Sequence, residues 1–264
     1  MATMLATTPI ALITGGAQRI GRAIALHLAA HGWGVAVHYR HSDAAAAQTV
    51  AAARQAGAPA QAFAADLADE AQCNALVPAV RQAFGRVDAV VNNASLFEHD
   101  DVAGFSMKAM EAHWRANTAP AILLARALHA ALGDGPESRT GCVINLLDQK
   151  LWNPNPDYLS YTLSKAALQS ATTLLAMALA PRLRVCGVAP GVTLLSGTMN
   201  DAEFAAAHSM TPLARSSSAE DVARAVLFLL ESPAVTGSTL LVDGGQHLLG
   251  QPRDVMFLAR EGPR

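Results

Sequence analysis

The chain predicts an α/β architecture: a single doubly wound domain spanning 1–264, with a mainly parallel seven-stranded sheet flanked by helices on both faces. Short β-type runs alternate with longer Ala-rich segments whose apolar residues recur at helical spacing. The runs are continuously apolar, as expected of strands covered on both faces. No Pro/Ser/Gly-rich linker or internal repeat divides the sequence. Its 264 residues suit one large domain or two small ones, and the undivided pattern favours one. Apolar types make up 52% and charged types 15%, the latter well under the ~25% usual for soluble domains, which excludes disorder and points to extensive buried surface, subunit contacts included.

The strands are expected at 10–13, 34–38, 60–63, 89–91, 142–145, 184–188 and 239–242, with helices such as 19–30, 70–84 and 161–180 between them. Right-handed crossovers turn this order into a doubly wound sheet. The loop 133–140 is too short to be a domain boundary, and the tail 246–264, of mixed composition, either frays or reaches a neighbouring subunit. The formal charge of −2, without a Lys/Arg block, argues against nucleic-acid or anionic-membrane partners. The first residues lack a basic signal-peptide region, and no stretch reaches the ~18 apolar residues of a membrane span. Three scattered cysteines, Cys73, Cys142 and Cys186, suit a reduced, cytoplasmic interior.

The first strand runs into Thr14-Gly15-Gly16-Ala17-Gln18-Arg19-Ile20-Gly21 and then directly into a helix. Small residues there admit a pyrophosphate, and the helix N-terminus supplies unpaired N–H donors and a positive dipole end. A glycine-rich turn alone is weak evidence, but strand–glycine–helix at the head of an alternating chain is the signature of a Rossmann-type dinucleotide site. The second strand ends in His38-Tyr39-Arg40-His41-Ser42. Where an acid would hold a ribose 2′-hydroxyl, Arg40, His41 and Ser42, with Arg19 nearby, suit a 2′-phosphate and hence NADPH. Asp43 follows, with its direction open, and a solvated basic turn is the alternative.

Tyr161 and Lys165 stand at i and i+4, on one face of a helix. An ammonium there is expected to lower the phenol's pKa from ~10, making Tyr161 a proton donor to a substrate that accepts hydride. Asp148 lies upstream, at the end of the fifth strand. His27 and His31 have two-His metal spacing but lack a third ligand, so no metal site is expected. Ser164 is not in a nucleophile elbow, which removes a hydrolase reading.

The Thr14–Gly21 loop, Asn92-Asn93-Ala94, Asn117, Tyr161/Lys165 and Pro190-Gly191 resemble, in order and spacing, the short-chain dehydrogenase/reductase family over nearly the whole chain, to about Gly245. The resemblance implies that Tyr161 is the catalytic acid, that Lys165 holds the nicotinamide ribose and tunes Tyr161, and that Asn117 supports a proton-relay water. It also implies that Thr14, Gly15, Ile20, Gly21, Asp66, Leu67, Asn93, Ala94, Pro190, Gly191 and Thr193 line the cofactor groove. Asp66 as a helix cap and Asn117 as a satisfied polar residue are the plainer readings. A homotetramer built through the helices carrying Asn117 and Tyr161 is likewise implied.

Three departures narrow the resemblance. Arg19 replaces a Gly, Asp148 replaces the usual catalytic Ser, and Ser95 ends an Asn-Asn-Ala-Ser segment. With Phe97 two residues later, these resemble the pteridine reductase branch, which includes bacterial dihydromonapterin reductases, also described as alternative dihydrofolate reductases. The chemistry agrees. An ionised Asp cannot donate to a ketone oxygen as Ser does, but it accepts from the N–H edge of a heterocycle and, when protonated, relays a proton. Phe97 offers a stacking face, Arg19 and Ser95 offer contacts to polar groups of the substrate or to the cofactor phosphates, and Trp152 either walls the pocket or anchors its loop. Phe97 as a core aromatic and Asp148 as a strand-end cap are the alternatives. The expected activity is NADPH-dependent reduction of a dihydropterin or dihydrofolate-type C=N bond. A carbonyl reductase acting on 3-oxoacyl substrates and a non-catalytic dinucleotide-binding regulator are the rivals.

Overall fold

The computed structural model describes residues 8–133, 139–195 and 199–261. Most of the first residues and of the 133–140 loop lie outside that range, as do residues 262–264 of the tail. Seven parallel strands form one sheet in the order β3-β2-β1-β4-β5-β6-β7. They are β1 Ile10–Ile13, β2 Gly34–Tyr39, β3 Ala60–Ala64, β4 Ala89–Asn92, β5 Gly141–Leu146, β6 Leu183–Pro190 and β7 Thr239–Val242. Each expected run is present, and four of them, β2, β3, β4 and β5, are one or two residues longer and β6 three longer, because backbone pairing with the neighbouring strand continues past the apolar run.

The helices are α1 Arg19–Ala30, α2 Asp43–Gln55, α3 Glu70–Phe84, α4 Met107–His113, α5 Ala119–Ala131, α6 Leu159–Ala178, α7 Asp201–Ser209, α8 Ala219–Glu231 and α9 Val255–Glu261. A strand's alternation sends its residues to two layers. From β1, Ala11 and Ile13 enter a core shared with α1, α2 and α8, while Ile10 and Leu12 enter one shared with α3 and α5. Sequence order reverses between β1 and β4, opening a crevice at the C-terminal strand ends.

Three local features shape that crevice. A π-helical turn, Trp114–Thr118, joins α4 to α5 and carries Asn117, a kind of irregularity often found at functional sites. The helix α6 starts at Leu159 and ends at Ala178 rather than spanning 161–180. Its end is set by Pro181, which disfavours helical backbone at Ala180. Its start is fixed by Asp100, whose carboxylate accepts from Ser160 N and Oγ. Finally, the tail folds back. Gln246, Val255 and Met256 are buried, α9 lies against α7, and Arg260 Nε pairs with Glu203 Oε1 at 3.1 Å. Among the described residues, no helix is long and apolar enough to cross a membrane.

Candidate active site

At the cradle, Gly15 has φ +61. Its N–H donates to His38 Nδ1 at 3.1 Å, and Gly16 N–H donates to the His38 carbonyl at 2.9 Å. His38 Nε2 lies 3.0 Å from the Ala65 carbonyl. Burial holds the imidazole pKa below its usual value, so the neutral tautomer that accepts at Nδ1 and donates at Nε2 satisfies both contacts. Asn93 Nδ2 donates to the Thr14 and Gly15 carbonyls, and Thr14 Oγ1 accepts from the N–H groups of Asn93 and Ala94. A Cβ on Gly21 would collide with the Gly15 carbonyl and stand 2.6 Å from Asn93 Nδ2. The loop is thus built for close backbone approach, and Gln18, at the α1 N-cap, makes no capping hydrogen bond with its side chain. Ile20 packs partly buried behind it.

Arg19 adopts φ 54, a left-handed conformation that residues with a side chain seldom take and glycine takes freely. Its guanidinium crosses the crevice and donates to the Leu195 carbonyl at 2.7 Å. At the end of β2, Tyr39 O–H donates to Asp43 Oδ1 at 2.8 Å, so Asp43 is occupied beside its own turn. Arg40 and His41 are exposed and Ser42 is half-buried. On the next turn, Asp66 Oδ1 accepts from Ala68 N, and Leu67 is buried. The cap of α3 is Asp69, which accepts from Ala71 and Gln72 N–H, so the helix-cap reading of Asp66 does not hold.

At the reacting centre, Tyr161 O–H donates to Asp148 Oδ2 at 2.8 Å, while Asp148 Oδ1 accepts from Lys150 N at 2.8 Å. Asp148 therefore both caps the Gln149–Leu151 turn and binds the phenol. Lys165 shares the helix face as expected, but its Nζ donates to the Leu146 carbonyl at 2.7 Å and stands 5.7 Å from the Tyr161 ring centre. The expected lowering of the phenol's pKa is corrected here. Burial, and then the Asp148 carboxylate, push Tyr161 well above its usual value. Burial lowers Lys165 to about 8, with Asp148 opposing, and also raises Asp148. The site is a phenol–carboxyl couple in which burial works against ionisation of both groups. Sequence spacing pointed to the ammonium, whereas contact distance gave the carboxyl the larger influence.

Asn117 is buried and all four of its hydrogen-bonding positions are filled. Its Oδ1 accepts from Leu96 N and Ser95 Oγ, and its Nδ2 donates to the Leu96 carbonyl and Ser164 Oγ. It clasps the loop after β4 to α6. That loop presents Phe97, 38% exposed, stacked on Tyr158 at 4.2 Å and edge-on to Tyr161 at 4.7 Å. Tyr158 has φ 56 and is buried. Trp152 is half-buried and packs with Ala121, Leu147, Leu168 and Ala189, so it anchors its loop. Beyond Pro190, Gly191 N–H donates to the Val242 carbonyl, and Thr193 Oγ1 lies 2.7 Å from Ser217 Oγ.

The crevice therefore brings together the glycine loop, Asn93, Ser95, Phe97, Asp148, Tyr161 and Lys165. Sequence reasoning missed His38 as the loop's brace, Asp100 as the anchor of α6, and Tyr158. Only Tyr158 carried a signal, as an aromatic one helical turn before Tyr161. Away from the crevice, His27 Nδ1 lies 3.0 Å from Glu220 Oε1, and Cys73, Cys142 and Cys186 are free and buried.

Comparison with known proteins agrees with this geometry. The family profile described as Enoyl-(Acyl carrier protein) reductase matches residues 15–247. Pteridine reductase 1 of Leishmania tarentolae is 33% identical, with 92% of this chain and 97% of that protein covered. The putative ketoacyl reductase 2 of the granaticin polyketide synthase of Streptomyces violaceoruber is 35% identical, covering 94% of this chain and 100% of that one. The structure of FolM alternative dihydrofolate reductase 1 from Brucella canis, solved in complex with NADP, superposes with a TM-score of 0.86 at 37% identity, over 95% of this chain and 98% of that one. On these grounds the chain belongs to the short-chain dehydrogenase/reductase family of oxidoreductases, in its pteridine reductase-like branch.

Proposed function

We propose that the protein reduces the C=N bond of a dihydropterin or dihydrofolate-type substrate with NADPH. The observation that carries this reading is the 2.8 Å hydrogen bond between Tyr161 O–H and Asp148, where a ketone reductase of this family has a serine hydroxyl. NADPH supplies the hydride when bound. The chain fits such a cofactor: Gly15 and Gly21 let the loop and the start of α1 pack tightly on Asn93 and on each other, α1 has no side-chain cap at its N-terminus, and Arg40, His41 and Ser42 offer donors to a 2′-phosphate. Thr14, Asn93 and Ala94 hold the loop in shape, Asp66 and Leu67 would line the cofactor groove, and Pro190, Gly191 and Thr193 would border its nicotinamide end. Lys165, whose ammonium donates to the Leu146 carbonyl, would hold the nicotinamide ribose with its remaining donors.

Phe97 provides an aromatic face backed by Tyr158, a rigid platform for a flat heterocycle. Asp148 accepts from the substrate's N–H edge, and Tyr161, kept protonated by its environment, delivers the proton to the ring nitrogen. Arg19 and Ser95 serve polar groups of the substrate or the cofactor phosphates, and Trp152 holds the loop that carries Asp148. The named activities of the Leishmania and Brucella relatives support the same reading. As a cytoplasmic enzyme it is expected to form a homotetramer through α5 and α6. Leu163, Leu174 and Met177 of α6 are exposed in the single chain, in keeping with a covered face.

The test is NADPH and NADH oxidation with dihydromonapterin, dihydrobiopterin, dihydrofolate and a 3-oxoacyl thioester. Turnover of a dihydropterin with NADPH is expected. Turnover of the thioester alone would move the assignment to a carbonyl reductase, and turnover of none would leave a nucleotide-binding regulator.

A further inference from the structure

The segment 251–257 reaches the reacting centre from the far end of the chain. Asp254 Oδ2 lies 3.1 Å from Lys150 Nζ, which also donates to the Asp157 carbonyl at 2.6 Å. Lys150 is 3% exposed, and its ammonium stands 5.2 Å from the centre of the Tyr158 ring. Its backbone N–H is the donor that holds Asp148 Oδ1. One residue thus grips the Asp148 carboxyl through its backbone and the tail through its side chain. Arg253 Nε and Asp254 N–H both donate to Asp157 Oδ2, at 2.8 and 2.7 Å. Beyond them, Met256 and Phe257 pack with Tyr158 and Tyr161.

A buried ion pair is a poor source of stability, because desolvation offsets much of the attraction and an apolar pair of similar volume often holds as well. Here the pair does something an apolar contact cannot, since it places a carboxylate in the field of the phenol–carboxyl couple. We propose that Lys150 and Asp254 are positioning residues for the proton donor, locking the 148–158 loop to the C-terminal segment and biasing the Asp148–Tyr161 hydrogen bond with the Asp254 charge. The inference rests on the reading of Tyr161 as proton donor. The charged and titratable groups around the couple are Lys165 from α6, Asp254 from the tail, Tyr158 beside Tyr161, Lys150 from the turn, whose backbone N–H touches Asp148 while its ammonium is held by Asp157 and Asp254, and His113 of α4, whose ring centre is 6.5 Å from that of Tyr161. The Asp254 charge works against ionisation of both Asp148 and Tyr161. A donor is lost as pH rises through its pKa, so removing that charge moves the alkaline limb of kcat to lower pH.

The experiment compares the full-length wild type with Asp254→Asn and with the double variant Lys150→Met/Asp254→Met, which exchanges the ion pair for an apolar pair. NADPH affinity is read by fluorescence titration, and kcat is read against pH on whichever substrate the wild type reduces. Both variants are expected to bind NADPH normally and to lose kcat about tenfold through misplacement of the couple; Asp254→Asn, which removes only the negative charge, is expected to shift the alkaline limb to lower pH, and the double variant, which removes both charges, to shift it less. Wild-type kcat in both variants and an unshifted limb in Asp254→Asn would reduce the pair to a structural tie. Joint loss of NADPH binding and turnover in both variants would assign it to maintenance of the fold, also overturning the proposal. A ketone as the only wild-type substrate would sink the pterin assignment while leaving this comparison decisive.

Discussion

Two aspartates stand at opposite ends of the sheet. Asp88, just before β4, accepts from Ile10 N, from Arg86 Nε and Nη2, and from Arg139 Nη1, all between 2.8 and 3.1 Å. Asp148, just after β5, accepts from a backbone N–H and a phenol, with the Lys165 ammonium turned to the Leu146 carbonyl. The first carboxylate is saturated by cations and ties the strand starts together. The second is pushed up by burial and shares a hydrogen bond with an acid of its own. Carboxyl groups take their roles from their partners, and in an open parallel sheet the C-terminal strand ends are where partners remain free for a ligand.

The contrast can be broken from the reacting end. Replacing Tyr161 with Phe removes the proton donor and should lower kcat by roughly 10³-fold, within the usual range for general acid catalysis, while NADPH affinity by titration changes little. Retained turnover would dismiss Tyr161 as the donor. Asp148→Ser is the sharper variant. It should cut dihydropterin turnover by about 100-fold and raise activity toward 3-oxoacyl thioesters, because a hydroxyl donates to a carbonyl oxygen. An unchanged substrate ratio would show that the carboxyl does not set specificity. At the other end, Asp88→Ala should leave kcat unaltered and cost about 2 kcal/mol of stability through lost charge-assisted hydrogen bonds, read as a lower Tm by calorimetry. A fall in kcat without a fall in Tm would contradict the division of labour.

Much of this is legible in the sequence. The seven strands follow from local apolar runs, and the cradle follows from small residues between a strand and a helix, since both signals are local. The pairing of Tyr161 with Lys165 on one face was also legible, because helical periodicity is local. Their electrostatics were not. The couple with Asp148 depends on a contact between a turn and a helix, and it reversed the expected direction for the phenol. Phe97 shows the same limit. Its position in the sequence flagged it, but only tertiary packing backs it with Tyr158 and leaves 38% of it exposed.

The sequence alone determined the doubly wound sheet, the nucleotide-type cradle and the family, because each is written in periodicity, glycine placement or motif order along short stretches. Tertiary structure alone decided which groups face the crevice and with what charge. His38 braces the cradle, Asp100 starts α6, and Asp254 returns from the tail to Lys150. These partners are far apart in the chain, and the strength of a hydrogen bond or charge depends on distance and burial, quantities a linear pattern does not contain.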